Sequence, residues 1–480
     1  MEIEIKLALP PRQAARIRRH GLLSGIKPGK RSMLSVYFDT PDFDLMRRGI
    51  AFRLRRIDYH WVQTLKAEAS AVGAMSSRPE WETAVAGGAS PDFAVLPQAA
   101  MALLHGIDLA LIAPVFSTQF QRTTWQIGDG DDQAEVALDL GEIHAGTARQ
   151  DISEVEIELK SGSAGFLFTL ADQLLAQTPL QIEPRSKAER GYVLCGAAEP
   201  SPTKTVQPDI HQRQNPEEAW NAVMQAAMIQ MVANVPGFLE RAQDLEYLHQ
   251  LRIALRRLRA GLSLAKRLPG APGELVQPLR RLMRGLNPAR DWDVFLHETL
   301  PQTLAALGED PTQAREAAPQ AGEDATLELI RETAMQQRRQ AQDLLRSPEF
   351  TRLVLDLGRA LMQASETGKA APTAPGNAQA WAAKILEKRW LALRKRCRHF
   401  ARLNPNERHL ARIAAKKMRY AADAFLPLYG KRGARFVAAL AQLQNVLGSA
   451  NDAHVGAQMV RELPMKNVAI GFNLGRIEDA

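Results

Sequence analysis

The hydrophobic period changes once along this chain, and the change falls in "CGAAEPSPTKTVQPD". Before it, apolar and polar residues alternate in short segments: EIEIKLAL, SVYFDT, IAFRLRRI, HWVQTLKAE, RPEWETAV, TTWQIG, AEVALDLGEI and SEVEIELK. Gly, Asp, Pro and Ser turns separate them. Period two is the strand period, and many short strands predict a sandwich or barrel, not a parallel sheet. PRQAARIRRHGLL and AGFLFTLADQLLAQ carry helical spacing among them. After the change, Ala, Leu, Gln and Arg recur at the helical period with almost no strand signal, which predicts a helical bundle. Pro200, Pro202 and Pro208 make the join a linker. The expected class is therefore multidomain α+β, with a β domain over 1–196, a Pro-rich linker over 197–211 and a helical domain over 212–475.

Composition narrows the function classes. At 480 residues, 45% hydrophobic and 24% charged, the chain has material for two or three cored domains. No run of eighteen apolar residues predicts a membrane span, and the acidic start, with Glu2 and Glu4, does not read as a signal peptide. The two cysteines, Cys195 and Cys397, predict neither a disulfide framework nor a thiolate metal site, so a reducing cytoplasm is the expected compartment. Residues 1–200 carry 21 Lys+Arg against 25 Asp+Glu, and the remainder 40 against 28. The second part should attract polyanions.

Residues two apart on a strand share a face. Glu2, Glu4 and Lys6 therefore point together, as do Arg53 and Arg55, Glu80 and Glu82, and Glu154, Glu156 and Glu158. Opposite the first and last sets lie Ile3, Ile5 and Leu7, and Val155, Ile157 and Leu159. A solvent-facing sheet surface explains any one such strand. Several strands bearing almost only acids or arginines point instead to a polar interior. Paired carboxylates without Cys or His suit Mg²⁺ or Mn²⁺, and Arg and Lys clamp phosphate oxygens. Together they are what phosphoryl transfer to water requires. P-loop, Rossmann and zinc spacings are absent from the sequence, and QIGDGDDQAE does not have EF-hand spacing.

These residues resemble the CYTH, or triphosphate tunnel metalloenzyme, family. EIEIK matches its E-x-E-x-K signature, and VYFDTPDFDLMRRGIAFRLRR, TLKAE, RPEWE, QRTTW, VALDLGEI, EVEIELK and SKAERGYVL follow in the family's order over residues 1–196. The resemblance implies a closed tunnel of eight antiparallel strands that binds triphosphate in its lumen. It implies that Glu2, Glu4, Glu156 and Glu158, with Asp139 as a further candidate, hold the metal. It implies that Lys6, Arg53, Arg55, Lys66, Arg122 and Lys187 bind the phosphate chain, with Arg185 and the Glu80/Glu82 pair as further candidates. Glu4, Lys6, Lys66 and Glu156 are the expected catalytic set. Members of this family include inorganic triphosphatases, thiamine triphosphatases and adenylate cyclases. Trp61, Trp81 and Trp125 read as packing residues, not as a base-reading cluster.

The helical part contains a repeat. HQLRIALRRLRAGL begins at His249 and HLARIAAKKMRYAA at His409, 160 positions on. His249, Arg252, Arg256, Arg257 and Arg259 map onto His409, Arg412, Lys416, Lys417 and Arg419. LNPARDWDV is echoed by LGSANDAHV, which sets Asp291 against Asp452 as candidate orienting partners. Two related units, about 212–310 and 375–475, are expected. At 100° per residue the cations of each helix fall within roughly 80° of one another, bordering an apolar sector. Two facing stripes would make a cationic channel for a long polyanion. Tyr420 is the one aromatic near them, which argues against nucleic acid and for a plain phosphate chain. This pattern resembles the CHAD domain, which implies polyphosphate binding over about 212–475. The joint expectation is Mg²⁺-dependent hydrolysis of tripolyphosphate to phosphate and diphosphate, with polyphosphate held by the helices. The alternatives are an organic triphosphatase or adenylate cyclase of the same family, or a non-catalytic polyphosphate-binding protein.

Overall fold

In the computed structural model the alternating segments form strands and the 3.6-period segments form helices. The structure describes residues 2–446 except 58–59, 68–69, 73–74, 86–89, 242, 269–270, 303–323 and 371–375. Contacts divide the chain into two compact units, Met1–Pro202 with Arg346–Met362, and Thr203–Leu345 with Gln363–Ala480.

The first unit is built on one antiparallel sheet. Its strands are β1 (Glu2–Ala8), β2 (Gly29–Asp39), β3 (Ala51–Ile57), β4 (His60–Lys66), β5 (Ser70–Val72), β6 (Met75–Arg78), β7 (Glu80–Val85), β8 (Ala113–Asp129), β9 (Asp132–Ala145), β10 (Ala148–Ser161) and β11 (Gln181–Ile182). They run in the order β5-β6-β1-β10-β9-β8-β2-β3-β4-β7, with β11 on β1. Among the described residues eleven strands stand where eight were expected, because β5, β6 and β11 are additions of two to four residues. Pro79 separates β6 from β7: proline gives no N–H to a ladder and interrupts the strand. The segment before it pairs β1 and the segment after it pairs β4. The sheet is strongly curled, for Lys66 of β4 reaches Glu2 of β1 across it.

Parity decides what each face does. On the convex side Ile5, Leu7, Val155 and Ile157 are fully buried. They lie under α4 (Gly165–Gln177), whose Leu167, Phe168, Leu170 and Leu174 supply the apolar partner. Phe38, Phe52, Leu54 and Leu65 form a second convex core with the short helix α3 (Gln98–Leu103), which follows α1 (Ala14–Arg18) and α2 (Asp44–Arg47) in the chain. Each fully buried side chain of this size stabilises by about 1.5–3 kcal/mol. The charged residues are left on the concave side. Helix α5 (Lys187–Leu194) packs there too: its Ala188 and Tyr192 meet Met33, Tyr37, Phe116 and Phe120. A capping box between Ser186 and Glu189 starts this helix. Residues Arg346–Met362 join this unit from far along the chain, with Thr351 Oγ1 donating to Leu180 O at 2.8 Å and Arg359 pairing with Asp172.

The second unit is helical: α6 (Pro216–Glu240), α7 (Leu245–Leu264), α8 (Val276–Val294), α9 (Asp324–Arg346), α10 (Pro348–Ala370, its first part in the other unit), α11 (Ala378–Arg396), α12 (Pro405–Ala424) and α13 (Leu426–Val446). Capping boxes Asn215/Glu218 and Asn404/Glu407 begin α6 and α12, each with Pro at N1. Helices α6, α7 and α8 pack in sequence, as do α11, α12 and α13, and α7 lies on α12. Helix α6 alone among the described helices is long and apolar enough to cross a membrane, but 72% of that stretch is buried inside the protein. Gln230 and Asn234 in it are fully buried and hydrogen-bonded, as in a core helix.

Candidate active site and basic helices

Strand register gathers the concave charges. Lys6 lies opposite Glu156 and Glu4 opposite Glu158; Glu154 lies opposite Asp139, and Asp139 opposite Arg122. Arg53 lies between Tyr37 and Thr64, and Lys66 opposite Glu80. Paired residues share a face, so the expected set from Glu2 to Lys187 converges with one exception noted below.

One half of this face is a dense ion cluster. Lys187, brought in by α5, sits 2.7 Å from Asp139 Oδ2 and 2.9 Å from Glu156 Oε1, and also pairs with Glu154. Arg122 forks onto Asp139 at 2.8 and 2.6 Å and reaches Glu156 as well. Arg190, one turn after Lys187, closes on Glu154. Burial opposes ionisation of Glu156, but Lys187, Arg122 and Lys6 outweigh it and hold its carboxyl well below the usual range. Burial likewise opposes the Lys187 charge, and Asp139, Glu154 and Glu156 overcome it and raise its pKa. The oxygens of Asp139, Glu154 and Glu156 lie within 4.8 Å of one another, close enough to hold a metal ion.

The other half is less balanced. Lys66 is shared between Glu2 at 2.7 Å and Glu80 at 3.0 Å, and Arg53 lies 3.7 Å from Glu80. Lys6 is 3.5 Å from Glu4 and 3.6 Å from Glu156. Arg55 donates to Ser35 Oγ at 3.3 Å. Burial, then repulsion from Arg53 and Arg122, pushes the Arg55 pKa down to about 10, so it keeps its charge at neutral pH. The Nε of Arg53 is buried without a hydrogen-bond partner. Converging cations with spare donors are what an anion would satisfy. Burial, followed by Glu2 and Glu135 against the pull of Lys160, raises the Glu158 carboxyl. Glu80 is raised too, by burial and by Glu2, against Lys66 and Arg53.

One expected residue stands apart: Arg185 is folded onto Glu183, with Nε at 3.0 Å and Nη2 at 2.9 Å. Glu158, opposite Glu4, also pairs with Lys160 at 2.7 Å. Glu82 accepts from Thr64 Oγ1 at 3.2 Å. Glu154, Arg190 and Tyr37 join the site without having been expected there. Glu154 shares the parity of Glu156, and Arg190 follows Lys187 by three on a helix, so both could have been found by spacing. Tyr37, which is buried and whose hydroxyl is pulled down by Arg53 against its burial, shows only once β2 is registered on β3.

In the helical unit the stripe divides. Arg252 donates to Asn287 Oδ1 at 2.7 Å and lies 3.8 Å from Asp291. Burial, then Arg256, lowers its pKa to about 10, with Asp291 opposing. Burial and Arg290 lower the His249 pKa, so the ring is neutral at pH 7 and adds no charge. Arg259, His409 and Lys417 are exposed; Arg256, Arg412, Lys416 and Arg419 are half-buried. Arg257 departs from the expected pattern. It is buried, donates to Gln230 Oε1 and Val206 O at 2.7 Å each, and faces Asp423 at 3.7 Å. Its charge ties the incoming linker to α6, α7 and α12. It projects to the core side of α7 because it lies next to Arg256 in sequence, a step of 100°. The partner expected at Asp452 lies outside the described residues.

Comparison with known proteins agrees with both parts. The CYTH domain family model matches residues 1–192, and the CHAD domain family model matches residues 222–461. The chain is a CYTH–CHAD protein. An inorganic triphosphatase of Haemophilus influenzae is 33% identical over 194 residues, which are 40% of this chain and 54% of that protein. The CYTH–CHAD chain thus spans about half the length of the curated relative it matches. Among solved structures, the CHAD domain from the plant Ricinus communis covers 58% of this chain and 89% of its own at 28% identity and a TM-score of 0.49. HpAC1 from Hippeastrum, described as having a dominant triphosphatase activity, covers 42% and 98% at 20% identity and a TM-score of 0.30.

Proposed function

We propose that this protein hydrolyses inorganic triphosphate with a divalent cation inside a tunnel formed by the curled sheet, and that its helical unit binds polyphosphate. The observation that carries the reading is the single concave face on which Lys6, Arg53, Arg55, Lys66, Arg122 and Lys187 meet Glu2, Glu4, Asp139 and Glu156. The activity of the Haemophilus influenzae relative supports it. Closure of the tunnel is supported at Pro79, where β7, at one end of the sheet, is one residue from β6, the second strand from the other end. A reducing cytoplasm suits the two free cysteines.

The donor set fits a hard cation. Glu4 faces Glu158 across the β1–β10 pair with Glu2 beside them. Like charges directly opposite are unfavourable unless a cation lies among them, and carboxylate oxygens alone suit Mg²⁺ or Mn²⁺. Glu2 and Glu4 would hold it, with Glu158 facing them across the strand pair. Asp139 and Glu156 are the less available donors, since Lys187 and Arg122 already neutralise them. When bound, the ion would supply Lewis acidity toward the phosphate oxygens.

The chain's own groups do the rest. Arg53, Arg55, Lys66 and Lys6 grip the phosphate chain, while Arg122 and Lys187 stabilise charge as it develops. Arg185, engaged by Glu183, is outside this set. A general base works best with a pKa near the operating pH. Glu156, held far below, is a poor base and serves to orient Lys187 and Arg122. Glu158, pushed upward, is the fitting acceptor for the proton of the attacking water. Water oxygen bonds to the terminal phosphorus, the bridging P–O bond breaks, and phosphate and diphosphate leave. Trp61 and Trp81 pack on the convex core and Trp125 is buried, which favours a substrate without a ring to stack. In the helical unit, Arg252, Arg256 and Arg259 on α7 with Arg412, Lys416 and Arg419 on α12 would hold the longer polyanion.

Phosphate release from tripolyphosphate, long polyphosphate, ATP and thiamine triphosphate under Mg²⁺ tests the reading. Tripolyphosphate should be turned over fastest. Faster release from ATP or thiamine triphosphate would move the protein to the organic branch, and no release from any would leave a binding protein.

A further inference from the structure

Away from both candidate sites, α11 and α13 carry an exposed aromatic pair. Trp390 is 45% and Phe436 36% exposed, with ring centroids 6.1 Å apart and planes at 66°. Large rings in mutual contact yet open to water mark an interaction surface. Arg394 lies one turn after Trp390, and Arg432 one turn before Phe436, each on its aromatic's helix face. Arg394, Arg432 and the neighbouring Lys431 and Arg435 are all exposed. Among the described residues, none of these four cations has an acidic partner.

We infer that this face binds single-stranded nucleic acid, with bases stacked on Trp390 and Phe436 and backbone phosphates on the surrounding cations. Bases offer a π-face to aromatic side chains while the strand's charge meets Arg and Lys. Inorganic polyphosphate has no π-face and gains nothing from exposed rings. A membrane-lying helix needs an unbroken apolar face, whereas Glu387 and Arg394 flank Trp390 at i−3 and i+4 on its own side. The α7 and α12 stripes, with Tyr420 as their aromatic, suit a plain phosphate chain. This face differs in offering two exposed rings side by side.

Fluorescence anisotropy of a labelled mixed-sequence DNA oligonucleotide with the full chain tests this. Binding should weaken with salt, and Trp390→Ala should reduce affinity about tenfold. Trp390→Phe should retain it. The double variant Arg394→Glu/Arg432→Glu should reduce affinity at least as far and flatten the salt dependence. All three should turn over tripolyphosphate as the parent chain does. Absent binding, equal affinity in Trp390→Ala, or capture of anionic phosphatidylserine vesicles in place of the oligonucleotide would each overturn the inference.

Discussion

Lys187 holds three carboxylates at once, and with Arg190 it is delivered to the cluster by a helix rather than a strand. That makes the cluster a folding element as well as a site. Breaking a buried ion pair by removing one partner typically costs about 3–5 kcal/mol. Glu156 has a lowered pKa, so its contribution to stability is present above the unfolded value, about 4.3, and is lost as pH falls through the folded one. Lys187 has a raised pKa, so its contribution is complete below about 10.4 and is lost only in strong alkali. Thermal unfolding in chelator should therefore show a midpoint that drops as pH falls below the usual glutamate range. Glu156→Gln should lower the midpoint at neutral pH and flatten that acid slope; an unchanged slope would remove Glu156 from the account. The alternation of Glu2, Glu4 and Lys6 made their shared face legible in the sequence. The roles of Arg190 and Tyr37 were not legible, because each depends on a neighbour supplied by another element.

At the scale of elements, the sheet was legible because each strand announces its parity, and parity survives into register. The strand number was less so. A short strand such as β11, two residues long, has no room for a pattern, and the Pro79 break is a turn signal whose consequence depends on which strands lie on either side. Helix α5 was expected at the site only through the resemblance, which set Lys187 among the phosphate-binding residues. SKAERGYVL supplies a capping box and helical spacing, but nothing in it says that the helix enters the concave face. One residue records that placement: a Cβ on Gly191 would stand 2.1 Å from the Phe116 ring. Gly191→Ala should thus destabilise the first unit by about 1–3 kcal/mol, as overpacking does, read as a lowered denaturation midpoint. A neutral or stabilising result would mean that α5 sits more loosely than the structure has it. In the helical unit, the paired stripes of α7 and α12 were legible as a repeat, and their apposition follows from it. The separation of Arg257 from its neighbours was not, since a one-residue step decides which side of a helix meets the core.

For the whole molecule, the sequence marks a change of architecture at the Pro-rich linker, and the family matches fall on either side of it. It does not mark Arg346–Met362, which lies among helices in sequence but completes the first unit in space. Helical periodicity describes a segment's faces and is silent on which partner covers them. The central claim is that the concave carboxylates and cations perform metal-dependent hydrolysis of tripolyphosphate. Phosphate release by the full chain, with and without Mg²⁺, in parent and Glu4→Gln forms tests it most directly. The account predicts Mg²⁺-dependent release by the parent, and in Glu4→Gln, still folded by circular dichroism, a loss on the order of a hundredfold or more. Equal release by the two forms, or release indifferent to Mg²⁺, would contradict it.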